Sequence, residues 1–205
     1  VRESLMGAIM NGLALTNIRS YGSTFLAFAD YMKPEIRMSA MMDLPVTYIF
    51  THDSIRVGED GPTHEPIAQL GTLRSIPGLS VYRPCDYKEL IGSWTNILKE
   101  GKPSALILPR GHNNTMKYTS PKMVSRGGYI ISEVRTRLDL IIIATGSEVE
   151  LAMNIKEELL KNYIEARVVS MPNMNLFLKQ DKEYQEQVFP TGYRRMVIEL
   201  SNDAN

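Results

Sequence analysis

Residues 46–66, VTYIFTHDSIRVGEDGPTHEP, join an apolar run to a polar loop rich in turn residues. The first part, Val46 to His52, is short, aromatic and β-branched, the composition of a strand buried on both faces. The loop after it holds His52 and His64, two of the chain's three histidines, with Asp53, Glu59, Asp60 and Glu65. Two readings stay open here. Gly58, Gly61 and Pro62 supply the conformations of an ordinary surface turn. Equally, open α/β sheets bind small molecules in the crevice beyond the carboxyl ends of their strands, and this loop starts at such an end.

The same strand pattern recurs along the chain. LSVYRPCD (79–86), SALILPR (104–110), LDLIIIATG (138–146), EARVVSMPN (165–173) and RRMVIEL (194–200) are further strand candidates, six in all with residues 46–52. Helical patterns lie between them. Asp86 with Glu89 opens DYKELIGSWTNILKE, Ser147 with Glu150 opens SEVELAMNIKEELLKN, each spaced as a capping box, and Gly101 closes the first. Alternating strands and helices predict α/β architecture with parallel sheets and crossover helices. Residues 111–125, GHNNTMKYTSPKMVS, are polar and without periodicity, so they read as a linker between a unit at 1–110 and a second, incomplete unit at 126–205.

Composition narrows the partner. Lys+Arg 23 balance Asp+Glu 23 over 205 residues, so no net field favours nucleic acid or an anionic membrane. Cys85 is alone, which excludes an internal disulfide framework and agrees with a reducing, cytoplasmic setting. No apolar run is long enough to span a membrane, and VRESLMGAIMNG has no signal-peptide pattern. The absence of an initiator methionine and the small strand count of the second unit lead to the expectation that the chain is part of a longer protein. The spacing of His52 and His64 fits no compact zinc motif, so no metal site is expected within the chain.

Several segments, in order, carry a resemblance that periodicity cannot. VRESLMGAIMNG, YGSTFLAFADYMKPEIRMSAMM, THDSIRVGEDGPTHEPIAQLGTLRSIPGL, RPCD and SALILPRG resemble the pyrimidine-binding domain of the transketolase family. RGGYII, IATGSEVELA and ARVVSMPN resemble the start of that family's C-terminal domain. The fold so implied is a parallel-sheet, thiamine-diphosphate-binding α/β domain followed by part of a second α/β domain. The activity implied is transfer of a two-carbon ketol unit from a ketose phosphate to an aldose phosphate, in the pentose phosphate pathway. Thiamine diphosphate and magnesium or calcium would serve as cofactors, and a homodimer would form its active sites between subunits. Alternatives are a related thiamine-diphosphate enzyme, such as dihydroxyacetone synthase or deoxyxylulose-phosphate synthase, or a non-catalytic interaction module derived from the family.

Residue roles are implied by the resemblance. Glu3 matches the glutamate whose carboxyl shares a proton with a ring nitrogen of the cofactor's aminopyrimidine, a task that suits enclosure by Leu5, Met6, Ile9 and Met10. From local sequence alone, a glutamate in a first helical turn only complements the dipole. Phe25, Phe28 and Tyr31, three apart and so on one face of a helix or helix entry, match the aromatics that stack on the pyrimidine; as a bare stripe they read as core. Met38, Met41 and Met42 read as core or interface. His52 and Asp60 match residues that face the sugar, His64 one nearer the cofactor, and Arg110 the arginine that clamps the sugar phosphate. Arg56, Pro109 and Gly111 depart from the family pattern beside these positions. The glycine-aspartate-glycine and asparagine ligands of diphosphate and metal are not in this sequence, so the isolated chain is expected to be inactive.

Overall fold

A computed structural model describes residues 2–202. Its contacts divide the chain into two units: one runs to Tyr82 and adds Thr95–His112 and the segment from Leu200, and the other comprises Arg83–Trp94 and Asn113–Glu199.

In the first unit, α1 (Glu3–Leu15) leads into β1 (Ser20–Phe25), a 3-10 helix (Leu26–Met32) and α2 (Lys33–Met41). Next come β2 (Val46–Thr51), a short 3-10 turn (Ile55–Val57), α3 (Gln69–Arg74), β3 (Ser80–Tyr82) and β4 (Ser104–Ile107). The four strands are parallel in the order β1-β2-β4-β3. β2 and β4 occupy the centre, and their residues are buried on both faces, as the unbroken apolar runs predict. Val46, Tyr48, Phe50 and Ile107 join Leu26, Met32 and Ile36 in one core. β1 escaped the sequence reading because SYGSTF has no apolar run: it is a polar edge strand paired only with β2. Gly22 opens it to α1, since an added Cβ there would lie 3.0 Å from the Met6 sulfur.

Register aligns the strand ends. Phe25 lies opposite Thr51, and Phe50 opposite Ile107, so the carboxyl ends of β1, β2 and β4 come out level along one edge.

In the second unit, β5 (Tyr129–Ser132), β6 (Leu140–Ala144), β7 (Ala166–Ser170) and β8 (Arg194–Ile198) form a sheet in the order β5-β7-β6-β8. α5 (Glu148–Lys161), α6 (Met174–Leu178) and α7 (Lys182–Val188) connect them. β6 is parallel to β7 and β8, but β5 runs antiparallel to β7, a departure from the all-parallel expectation. Residues 133–139 join β5 to β6 without a helix, so no crossover connection imposes a parallel direction on β5. α4 (Tyr87–Glu100) has residues in both units.

The two capping boxes fare differently. Asp86 accepts the Glu89 N–H at 3.0 Å, as a cap should, but the Glu89 carboxylate turns inward. It accepts from the Cys85 N–H (2.8 Å), the Tyr129 hydroxyl (2.8 Å) and the Ser170 hydroxyl (2.6 Å), tying α4 to β5 and β7. At α5 no box forms. Ser147 is already helical (φ −61°, ψ −18°), a conformation that prevents capping, and its hydroxyl bonds Glu148 at 2.6 Å. Gly101, with φ 59°, does close α4.

Candidate active site at the carboxyl ends of three strands

The site is built where β1 and β2 end. His52 follows β2 with φ 58°, a left-handed conformation that costs a non-glycine residue strain. The turn lays its imidazole flat on Phe25, the last residue of β1, with ring centroids 3.6 Å apart and planes 19° apart. The Thr51 hydroxyl lies 3.0 Å from His52 Nδ1. Phe28 and Tyr31 sit on the next element, the 3-10 helix, where residues three apart eclipse. The spacing that suggested a helix face is therefore that of a strand end entering a 3-10 helix. Phe25 and Phe28 are parallel within 3° at 6.0 Å, and Tyr31 lies 6.0 Å from Phe28.

The loop after β2 returns to these rings. Gly58 (φ 77°) and Gly61 (φ 76°) each take the left-handed conformation of successive turns, with Gly61 N–H donating to Gly58 O and His64 N–H to Gly61 O. Buried Val57 anchors the loop. His64 then meets Phe28 edge-on at 5.2 Å and Phe25 at 6.0 Å. The loop is a glycine turn, and it carries His64 to the rings of Phe25 and Phe28.

Charge completes the cluster. Burial pushes the His52 imidazole below its ordinary pKa; Asp60 and Asp53 oppose this, while Arg110 and His64 reinforce it. The shift favours the neutral imidazole, which donates at one nitrogen and accepts at the other. Arg110, three residues beyond β4, donates from Nη2 to Glu59 at 3.0 Å. Glu59 was not singled out from sequence, although an acid in the same loop as Asp60 was an available signal. Phe25 and His52, given different roles from sequence, form one stack.

Glu3 opens the helix that precedes β1. It is half-buried in the first turn of α1, a helix that packs against β1 and the 3-10 helix, and among the described residues its side chain has no hydrogen-bond or ion-pair partner. The enclosure expected from its helix is only partial: Met10 is buried and Met6 partly so, but Leu5 and Ile9 are each 55% exposed. The helix is held by α2. The Ser4 hydroxyl donates to Glu35 at 2.6 Å, Asn11 donates to the Glu35 carbonyl at 2.9 Å, and a Cβ at Gly7 would lie 2.8 Å from that of Glu35.

The aromatic wall suits a flat heteroaromatic ring. Phe25 and Phe28 are half-buried and Tyr31 is 63% exposed, so part of each ring remains accessible beside the imidazoles. Among the described residues no group of three histidine, cysteine or acidic side chains converges as metal ligands would.

Known proteins match the chain along its length. The family description "Transketolase, pyrimidine binding domain" matches residues 1–115, and "Transketolase-like TK C-terminal domain" matches residues 127–204. The transketolase of Halalkalibacterium halodurans is 47% identical over 208 residues, covering 98% of this chain and 31% of its own length. The chain thus spans about a third of the curated relatives it matches. A crystal structure of an arginine-to-leucine variant of Pichia stipitis transketolase with fructose 6-phosphate is 41% identical at a TM-score of 0.93, covering 97% of this chain and 30% of that one. A split-gene transketolase, described as an inactive β4 tetramer, is 25% identical at a TM-score of 0.72, covering 85% of this chain and 56% of that one.

Proposed function

The chain belongs to the transketolase family, and from that premise we propose that it forms the cofactor-ring and sugar-binding part of an enzyme moving a two-carbon ketol unit between sugar phosphates. The observation that supports this is the convergence of Phe25, Phe28, Tyr31, His52 and His64 in one ring cluster at the carboxyl edge of β1 and β2, with Asp60 and Arg110 acting on the same imidazole. Phe25, Phe28 and Tyr31 hold the aminopyrimidine of thiamine diphosphate, and Glu3 holds a proton against its ring nitrogen. When bound, the cofactor supplies the nucleophilic carbon for breaking and making the carbon–carbon bond. His52, Asp60 and His64 pair with sugar hydroxyls, each of which would otherwise cost about 1–3 kcal/mol in a dry cleft. Arg110 clamps the phosphate through two parallel N–H groups.

The wider assembly belongs to the same proposal. Residues 1–110 act as the pyrimidine-binding domain, 111–125 as a linker and 126–205 as part of the C-terminal domain. Diphosphate and magnesium or calcium are held by residues outside this chain, in a cytoplasmic homodimer whose sites lie between subunits. The fructose 6-phosphate complex of the Pichia stipitis relative supports a sugar-phosphate substrate.

The test is two-carbon transfer by the full-length enzyme from a ketose phosphate to a panel of aldehyde acceptors. Thiamine-diphosphate-dependent transfer to aldose phosphates is expected. A product pattern confined to other acceptors would move the assignment to a related thiamine-diphosphate enzyme, and no cofactor-dependent transfer to any aldehyde would identify a non-catalytic module.

A further inference from the structure

Arg110 is engaged by its own chain. Its Nη2 lies 3.0 Å from Oε1 of Glu59, and the two side chains are 43% and 82% exposed. Glu59 stands between Gly58 and Asp60 on the glycine turn, so the backbone that presents Asp60 to the site also presents a carboxylate to the guanidinium. A carboxylate offers planar, paired oxygens that suit the same guanidinium face a phosphate would use. The two ligands compete. An exposed ion pair contributes little, whereas a phosphate brings nearly two negative charges and three acceptor oxygens. The phosphate therefore wins, and Glu59, already mostly in water, swings away at small cost.

We infer that Glu59 is a specificity-determining competitor for Arg110: its carboxylate takes the place of the substrate phosphate in the free enzyme and must be displaced when a phosphorylated sugar binds. This rests on Arg110 being the phosphate contact. Displacing Glu59 divides the apparent affinity of every anion that takes its place at Arg110 by the same factor. Free inorganic phosphate, which has no sugar contacts of its own, reports that factor most directly.

In the full-length enzyme at fixed ionic strength, Glu59→Gln should lower the inhibition constant for inorganic phosphate about two- to fivefold, the range an exposed ion pair spans. The ratio of kcat/KM for an aldose phosphate to that for glycolaldehyde should rise by a similar factor, through KM rather than kcat. Glu59→Asp, which keeps the charge, should stay closer to wild type. The effect should vanish in an Arg110→Ala background, since two residues acting through one contact are not additive. If Arg110→Ala weakens inorganic phosphate but Glu59→Gln leaves it unchanged or weakens it, Glu59 is no competitor and the assignment of Arg110 survives. If Arg110→Ala lowers both acceptor classes equally, both inferences fall.

Discussion

Arg110 and Glu3 bear on different halves of the proposed reaction, and single substitutions separate them. A charged, two-pronged contact with phosphate contributes roughly 1.5–3 kcal/mol, about ten- to a hundredfold in specificity constant. Arg110→Ala should impose that loss on phosphorylated acceptors and spare glycolaldehyde, which is too short to reach the guanidinium. Side-by-side kinetics on one preparation check this, because misfolding would lower both acceptor classes. Glu3→Gln keeps the volume of the side chain and weakens its hold on a proton. Hydrogen–deuterium exchange at the thiazolium carbon of bound cofactor should then slow more than cofactor affinity falls. Exchange at the wild-type rate would make Glu3 a structural residue of α1.

Between elements, the buried Glu89 carboxyl group ties α4 to β5 and β7 with three accepted hydrogen bonds. Burial raises its pKa in the folded state, against the opposing hydrogen bonds. The stability gained by holding that proton is complete below the unfolded carboxyl pKa and is lost as pH rises through the folded one. Glu89→Gln sets an amide N–H₂ against donors now satisfied by a carboxylate and should cost about 1–3 kcal/mol. Because glutamine does not titrate, the gap between mutant and wild type should narrow as pH rises above the ordinary carboxyl range. Urea denaturation midpoints across that range check both the size and the slope. A gap that widens with pH would mean that Glu89 is held ionised. Glu89 was legible in the sequence as a helix start but not as this tie, since its partners Tyr129 and Ser170 lie 40 and 81 residues away.

For the whole molecule, the prediction concerns what 205 residues can do alone. With diphosphate and metal contacts assigned elsewhere, the purified chain should show no saturable binding at micromolar thiamine diphosphate with magnesium. Calorimetric titration measures it directly. Saturation in that range would refute it.

The central strands were readable because burial on both faces demands continuous β-branched and aromatic runs, which residues 46–52, 104–110 and 138–146 display without help from any neighbour. The turn of the His52 loop was readable for the same local reason, since left-handed backbone at Gly58 and Gly61 calls for glycine. Strands β1 and β5 were not, because SYGSTF has no apolar run and the direction of β5 is set by its pairing with the distant β7. Nor could the sequence show that Glu59 reaches Arg110 across 51 residues, or that His52 stacks on Phe25. Those contacts arise from the level carboxyl ends of β1, β2 and β4. Strand register is set by pairing between distant segments, so only the assembled sheet decides which loops meet at its edge.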